Sequence, residues 1–310
     1  MYAETVSFRT IDELEGALRG ADYLPDRGLA TALFLGLALE KPVLLEGEAG
    51  VGKTEAAKAL ATALDARLIR LQCYEGLDVS HAVYEWNYPR QLLHIRAAQE
   101  GSVSEEELFG PEFLIRRPLL EAIDTDEPVV LLIDEIDRAD EEFEAFLLEF
   151  LSDFQVSIPE IGTVVARNRP LVVLTSNRAR ELSEALKRRC LHLQLAYPSQ
   201  EVELEIVRLK APGIHDALAA ELVATIQRLR TVDLRKAPSI GETLDWAQAL
   251  VVLGADRLSK ELIEETLSVI IKYDRDADKA RHALALNGAA GHPHAHAHGH
   301  AHDHEHPHSH

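Results

Sequence analysis

The sequence predicts a parallel α/β domain followed by a small helical one, and three observations carry that prediction. Short apolar runs at Val43, Leu68, Val129, Leu171 and Leu191 recur with helix-forming stretches between them, the alternation expected of a five-stranded parallel sheet. The segment Gly47-Glu48-Ala49-Gly50-Val51-Gly52-Lys53-Thr54 places a glycine-rich loop between the first run and a helix. From Ser199 onward only helical apolar spacing remains. The chain divides accordingly into an α/β domain over 1–198, a helical domain over 199–286 and a histidine-rich tail over 287–310.

Phe8 to Leu18 has helical spacing, with Thr10 or Asp12 as its cap. Arg27 to Glu40 is a strongly apolar helix suited to core packing; standing just ahead of the glycine loop, it can also wall a base pocket. Pro42 to Glu46 is the first strand. The loop after it matches G-x-x-x-x-G-K-[ST], the phosphate-cradling Walker A pattern. Glycines let successive backbone N–H groups turn inward onto phosphate oxygens, and the helix that follows, Glu55 to Leu64, adds partial positive charge at its start. Lys53 then reaches the β- and γ-phosphates, and the Thr54 hydroxyl binds Mg²⁺. An ordinary glycine turn at a helix start is the bland alternative, and the flanking strand and helix argue against it. The loop predicts binding of a nucleoside triphosphate.

Ala66 to Cys73 reads as the second strand. From there to Leu108 the sequence has little regular pattern. Within it Tyr84, Trp86 and Tyr88 gather at alternate positions, which share one face of an extended segment; they form either a satellite core or a loop that grips a partner. Glu105 to Asp124 reads as one or two helices. Glu127 to Glu135 is an apolar run ending in two carboxylates, the Walker B pattern, suited to a central strand buried on both faces. Asp134 can hold Mg²⁺, and Glu135 can orient and polarise the water that attacks the γ-phosphate.

Asp140 to Phe154 is an amphipathic helix, and Val156 to Arg167 a hairpin turning at Glu160-Ile161-Gly162. Pro170 to Asn177 is another buried strand with a polar tip, Glu181 to Arg189 a short helix, and Leu191 to Leu195 the last strand before Pro198. Gly47, Asp134 and Asn177 all fall at C-terminal strand ends, where parallel sheets bind ligands. The later helices are Ser199 to Lys210, Ile214 to Arg230, Ser239 to Leu253 and Ser259 to Tyr273, the third opening on a capping box, Ser239-Ile240-Gly241-Glu242.

Composition narrows the functions. The chain has 310 residues, enough for two domains with substantial cores. No apolar run approaches the length of a membrane span. Met1 to Asp12 carries acids and lacks the basic-then-apolar order of a secretory signal. Two well-separated cysteines, Cys73 and Cys190, fit a reducing cytoplasm with no disulfide framework. The formal net charge of -20 repels a phosphate backbone, and the short clusters Arg116-Arg117 and Lys187-Arg188-Arg189 do not offset it. Nucleic acid is not the expected partner.

The motif set resembles an AAA+ ATPase: Walker A at Gly47 to Thr54, Walker B at Ile133-Asp134-Glu135, an Asn-tipped strand at Asn177, a basic helix end at Arg188-Arg189, and a helical lid. Within that class it looks like the MoxR group. Asp134-Glu135-Ile136-Asp137-Arg138-Ala139 is close to the group's D-E-I-N-R-A, with Asp137 in place of Asn, and Leu182 to Arg189 resembles its L-P-E-A-Q-L-D-R. Arg27 to Leu39, Gln72 to Tyr88 and Arg235 to Trp246 look most like CoxD-type members, which assist maturation of molybdenum-containing carbon monoxide dehydrogenase and related hydroxylases together with a von Willebrand A-domain protein. The resemblance runs from about Leu24 to Tyr273 and implies an Mg²⁺-dependent ATPase working as a remodelling chaperone. Residue by residue, it implies that the loop Gly47, Glu48, Ala49, Gly50, Val51, Gly52, Lys53 and Thr54 binds ATP together with Asp134. It implies sensor 1 at Asn177, placing the lytic water with Glu135. Arg189 aligns with the arginine finger, with Arg188 competing, and such a finger implies a homo-oligomeric ring, usually a hexamer. The sensor 2 arginine has no counterpart where the third lid helix opens with Pro238-Ser239-Ile240; Arg235 or Lys236, just before it, could substitute.

The tail alternates histidine with Ala, Gly, Pro, Asp, Glu and Ser: His292, His294, His296, His298, His300, His302, His304, His306, His308 and His310. Such a segment cannot bury a core and is expected to be disordered without metal. Dense neutral imidazoles chelate Ni²⁺, Cu²⁺ or Zn²⁺. A purification tag or an incidental solvated tail is the plainer reading, and the irregular mixture with acids and prolines argues against a tag. His81, His94, His192, His215 and His282 are isolated and read as structural. The tail admits an alternative function, a metallochaperone NTPase delivering nickel, copper or zinc. No N-K-x-D guanine-reading motif accompanies it, which disfavours the GTPase form. A nucleic-acid motor on the same fold is disfavoured by the acidity.

Overall fold

The computed structural model describes residues 8–97 and 104–286. Helix α1 (Ile11–Gly20) is capped by the Thr10 hydroxyl, which accepts the Glu13 N–H, and α2 (Arg27–Ala38) by Asp26. Strand β1 (Val43–Gly47) runs into the glycine loop, from which α3 (Lys53–Ala63) leads to β2 (Arg67–Gln72). The stretch with little sequence pattern is structured: α4 (Val79–Val83), β3 (Tyr84–Trp86) and α5 (Tyr88–Ala97), then α6 (Glu105–Leu108), β4 (Leu114–Arg116) and α7 (Pro118–Ile123). Next come β5 (Val129–Asp134), α8 (Glu141–Asp153), the hairpin β6 (Gln155–Ile158) and β7 (Gly162–Val165), β8 (Leu171–Ser176), α9 (Glu184–Arg189) and β9 (Leu191–Leu195).

The main sheet is parallel, in the order β2-β5-β8-β1-β9. The three central strands are buried along their whole length and the edges β2 and β9 only in part. That is why the central strands read as continuous apolar runs. Successive side chains point to opposite faces, so Val43 and Leu45 join the core under α1, α2 and α3, while Leu44 joins the core under α7 and α8. In the register, Gln72 stands opposite Asp134, Ile133 opposite Leu174, and Glu46 opposite Ser176. The polar residues that end β2, β5 and β8 are thereby carried to one edge.

The helical C-terminal region comprises α10 (Gln200–Lys210), α11 (Asp216–Arg230), α12 (Ile240–Val252), α13 (Lys260–Ile270) and α14 (Asp274–Ala283) around its own core. Trp246 is fully buried there and donates through Nε1 to Thr266 Oγ1 at 2.8 Å. The apolar spacing from Ser259 predicts a single helix through Tyr273. The chain instead breaks at Ile271, which is extended, and α14 begins after Tyr273. The aromatic trio also parts company. Trp86 is buried against Phe109 and Tyr84 is half-buried beside it, but Tyr88 begins α5 and is exposed. The strand is too short to hold all three on one face.

Candidate active site

Backbone geometry explains the glycine loop first. Gly50 and Gly52 have φ of +78° and +98°, a left-handed region that side chains disfavour. A Cβ on Gly50 would also overlap the side chain of Ser239, at the start of α12. Lys53 is buried at the first turn of α3, and its Nζ donates to the carbonyls of Gly47 and Glu48 at 2.7 and 2.8 Å. Burial lowers the pKa of its ammonium, and the carboxylates of Asp137, Asp134, Glu48 and Glu135 oppose that shift.

Asp134 ends β5 at 2 % exposure. Its Oδ1 accepts the hydroxyls of Thr54 and Thr175 at 3.0 and 2.5 Å, and its Oδ2 accepts Nε and Nη2 of Arg70 at 2.9 and 2.5 Å. Glu135 follows with φ 56° and ψ 50°, a conformation a non-glycine residue holds only where its surroundings compel it. Here the Glu135 N–H donates to Thr175 Oγ1 at 2.9 Å. Its carboxylate is fixed from both sides: Oε1 accepts Asn177 Nδ2 at 2.9 Å and Oε2 accepts Gln72 Nε2 at 3.2 Å. One hydroxyl, that of Thr175, therefore orients both members of the carboxylate pair.

Asp137 is buried and ties the tip of β8 to this turn. Its Oδ2 accepts the N–H groups of Asn177 and Ala179 at 3.1 and 2.7 Å, and its Oδ1 has no partner among the described residues. The Thr54 hydroxyl and the Asp134 carboxylate, both hard oxygen donors in mutual contact, fit the needs of Mg²⁺.

Beside the loop lies a cavity of about 550 Å³. It is lined by Ala21 to Leu24, by Val51, Glu55 and Ala59, and by Leu195 to Pro198 with Ile240 and Leu244. The apolar helix α2 contributes Leu29, and the segment ahead of it Ala21 to Leu24 and Asp26. The cavity size suits a nucleoside base and sugar beside a phosphate loop.

Residues 42–190 match the family described as AAA domain (dynein-related subfamily). An uncharacterized protein of Staphylococcus haemolyticus is 24% identical over 83% of this chain and 94% of its own length. The chaperone MoxR1 of Mycobacterium tuberculosis is 28% identical over 73% of this chain, which spans about half of that relative, 53%. Among solved structures, the RuvB Holliday junction branch migration motor of Thermotoga maritima aligns with TM-score 0.46 and 22% identity, over 78% of this chain and 66% of that one.

The sheet edge brings Gly47 to Thr54, Asp134, Glu135 and Asn177 together. It does not bring Arg188 or Arg189 to them. Both are exposed at the end of α9; Arg189 donates to the Leu148 carbonyl at 2.7 Å, and Arg188 makes no hydrogen bond or ion pair among the described residues. Arg235 and Lys236 make no hydrogen bond to the loop among the described residues. The Arg235 guanidinium stacks over Tyr273 at 4.4 Å, and Lys236 Nζ pairs with Glu242 at 2.7 Å. The loop meets the helical region where the Ile240 N–H donates to the Gly50 carbonyl at 3.2 Å, and the Tyr197 hydroxyl, in the segment after β9, donates to Ala49 O at 3.4 Å. Behind Tyr197 sits the guanidinium of Arg230, 4.2 Å from its ring.

Sequence reasoning missed Arg70, Gln72, Thr175 and Arg230. The alternation Arg70-x-Gln72 at the end of an edge strand was the available signal for the first two. Among the isolated histidines, His192 Nε2 lies 2.5 Å from the buried Glu46 and His94 packs edge-on against Phe113. The tail histidines from His292 to His310 lie outside the described residues. Among those residues no group of three or more His, Cys, Asp and Glu is placed to hold a metal, and no helix is long and apolar enough to cross a membrane.

Proposed function

We propose that the chain hydrolyses ATP and uses the cycle to remodel a protein partner, as a MoxR-type chaperone acting in a homo-oligomeric ring in the cytoplasm. The observation that carries it is the clamping of Glu135 between Asn177 and Gln72, one residue from the Asp134–Thr54 pair. In this reading the loop N–H groups and Lys53 bind the β- and γ-phosphates, and the cavity beside Tyr23 and Tyr197 takes the base. Bound Mg²⁺ supplies positive charge against the phosphate oxygens. Glu135 polarises a water aligned with the γ-phosphate, and Asn177 holds that water and the carboxylate in place. Clamping from two sides keeps the carboxylate within reach of one position only, which is what an in-line attack needs.

The chaperone reading draws on the likeness to MoxR1 over 73% of the chain. Finer still, we propose a client metalloenzyme and a von Willebrand A-domain partner, following the CoxD-like stretches of sequence. The second reading, delivery of nickel, copper or zinc through His292 to His310, is favoured by those ten imidazoles alone; Ni²⁺ titration of the full chain against one ending at Gly291 should lose the tight sites, and equal binding would end it. For the main reading, Glu135→Gln should keep ATP binding within about threefold and cut turnover by about 10²-fold or more, the scale of a lost general base. Unchanged turnover would overturn the assignment. Comparing ATP with GTP tests the choice of base.

A further inference from the structure

The Walker B aspartate is already paired with a cation of the chain's own. Arg70 stands on the edge strand β2, and its guanidinium crosses to the neighbouring strand, with Nε and Nη2 both on Asp134 Oδ2. The other oxygen, Oδ1, is taken by the hydroxyls of Thr54 and Thr175. An almost fully buried carboxylate needs such compensation, because an unpaired buried charge is costly. The two kinds of partner differ in how readily they can leave. Thr175 is at 1 % exposure and locked in the sheet, whereas the Arg70 side chain is 49 % exposed. Its long stem can carry the charged head into water.

A divalent cation brought to Asp134 through Thr54 would share the carboxylate with that guanidinium, and like charges at such a distance repel. Both cannot hold Oδ2 at full strength. We propose that Arg70 is a built-in counterion that occupies Asp134 before the divalent cation does, and so sets the cation concentration at which the site loads. The proposal rests on the reading of Asp134 as the metal-side carboxylate. Arg70 is then a positioning residue acting through Asp134. It also donates to Gln72 Oε1, while Gln72 Nε2 donates to Glu135, so the guanidinium leaves Asp134 with a second acceptor at hand.

The test uses the full chain with saturating ADP and follows Mn²⁺ binding by electron paramagnetic resonance. Replacing Arg70 by Gln should lower the apparent dissociation constant for Mn²⁺ by about fivefold, the scale of removing one partly exposed charge-assisted contact. Arg70→Lys, which keeps the charge but loses the fork, should fall between, and it carries the test if Arg70→Gln does not fold. Melting adds a readout independent of turnover: in Arg70→Gln the rise in melting temperature on adding Mg²⁺ should exceed that of the parent chain, because Asp134 then waits unpaired. Equal or weaker Mn²⁺ binding in the Arg70 variants would overturn the proposal. Asp134→Ala separates the two failures. It should abolish site-specific Mn²⁺ binding, and undiminished binding there would overturn the site reading and this proposal with it.

Discussion

Cys73 follows directly on β2 and lies close enough to the carboxylate pair to feel it. Burial pushes its thiol up to about 12, with Asp134, Asp137 and Glu135 adding to the shift; burial, against the opposing charge of Arg189, takes the Cys190 thiol up to about 12. In the unfolded chain both thiols ionise near ~8.5. The folded state therefore holds protons that the unfolded state has released between about pH 8.5 and about 12. Stability from these groups is complete below that window and declines as pH rises through it. At pH 8.5 the folded chain should react with a thiol reagent far more slowly than the chain in denaturant, and Cys73→Ala/Cys190→Ala should show a shallower loss of denaturant midpoint above pH 9. Fast labelling of the folded chain would contradict this burial.

At the level of elements, the ends of three lid helices meet at one buried ion pair. The Arg230 guanidinium, at the end of α11, grips Glu203 of α10 with two bonds of 2.6 and 2.7 Å and donates to the Pro238 carbonyl at 2.8 Å, just ahead of α12. Glu203 is fully buried and also accepts the Thr243 hydroxyl at 2.9 Å. The capping box joins Ser239 and Glu242 in the same turn, the turn whose Ile240 N–H reaches Gly50. A buried pair broken on one side leaves an uncompensated charge, so Arg230→Met should cost about 3–5 kcal/mol of folding stability. Arg230→Met with Glu203→Leu should cost much less than the sum of the two single changes. Denaturant unfolding of the four proteins measures this cycle, and a single-variant loss under about 1 kcal/mol would show that the pair is not what fixes the lid.

For the whole molecule, the exposed pair Arg188-Arg189 makes no bond to Asp134 or Glu135 among the described residues, and the ring reading gives it work in a neighbour's site. Glu135→Gln and Arg189→Ala chains, each inactive alone, should recover part of the ATPase activity when mixed, because the first offers its arginine to the intact Glu135 of the second. Silence at every mixing ratio would leave the shared site without support; Arg188→Ala in the same assay separates the two arginines.

The central strands, the glycine loop and the carboxylate pair were legible because each states its constraint locally. A strand buried on both faces has to be apolar throughout, and a phosphate cradle needs glycines at left-handed positions such as Gly50 and Gly52. The stretch from Tyr74 to Arg116 was not legible. Its strands β3 and β4 hold only three residues each and pair Tyr84 with Arg116 across a long gap in sequence, so no periodicity builds up. Arg70 and Gln72 were hidden for another reason: on a half-exposed edge strand a polar side chain needs no explanation until pairing with β5 sets Gln72 opposite Asp134 and brings the Arg70 side chain within reach of it.

By itself the sequence determined that this chain folds a triphosphate cradle onto a parallel sheet, with two carboxylates and an asparagine at its edge, since those residue types are dictated by backbone conformation and burial within a few positions. Only the tertiary structure decided what surrounds them. The Arg70 counterion, the Thr175 hydroxyl shared by Asp134 and Glu135, and the meeting of Gly50 with Ile240 all depend on register and on helix docking across 40 to 190 residues of chain. Such contacts follow from how buried surfaces fit together, which no local pattern encodes.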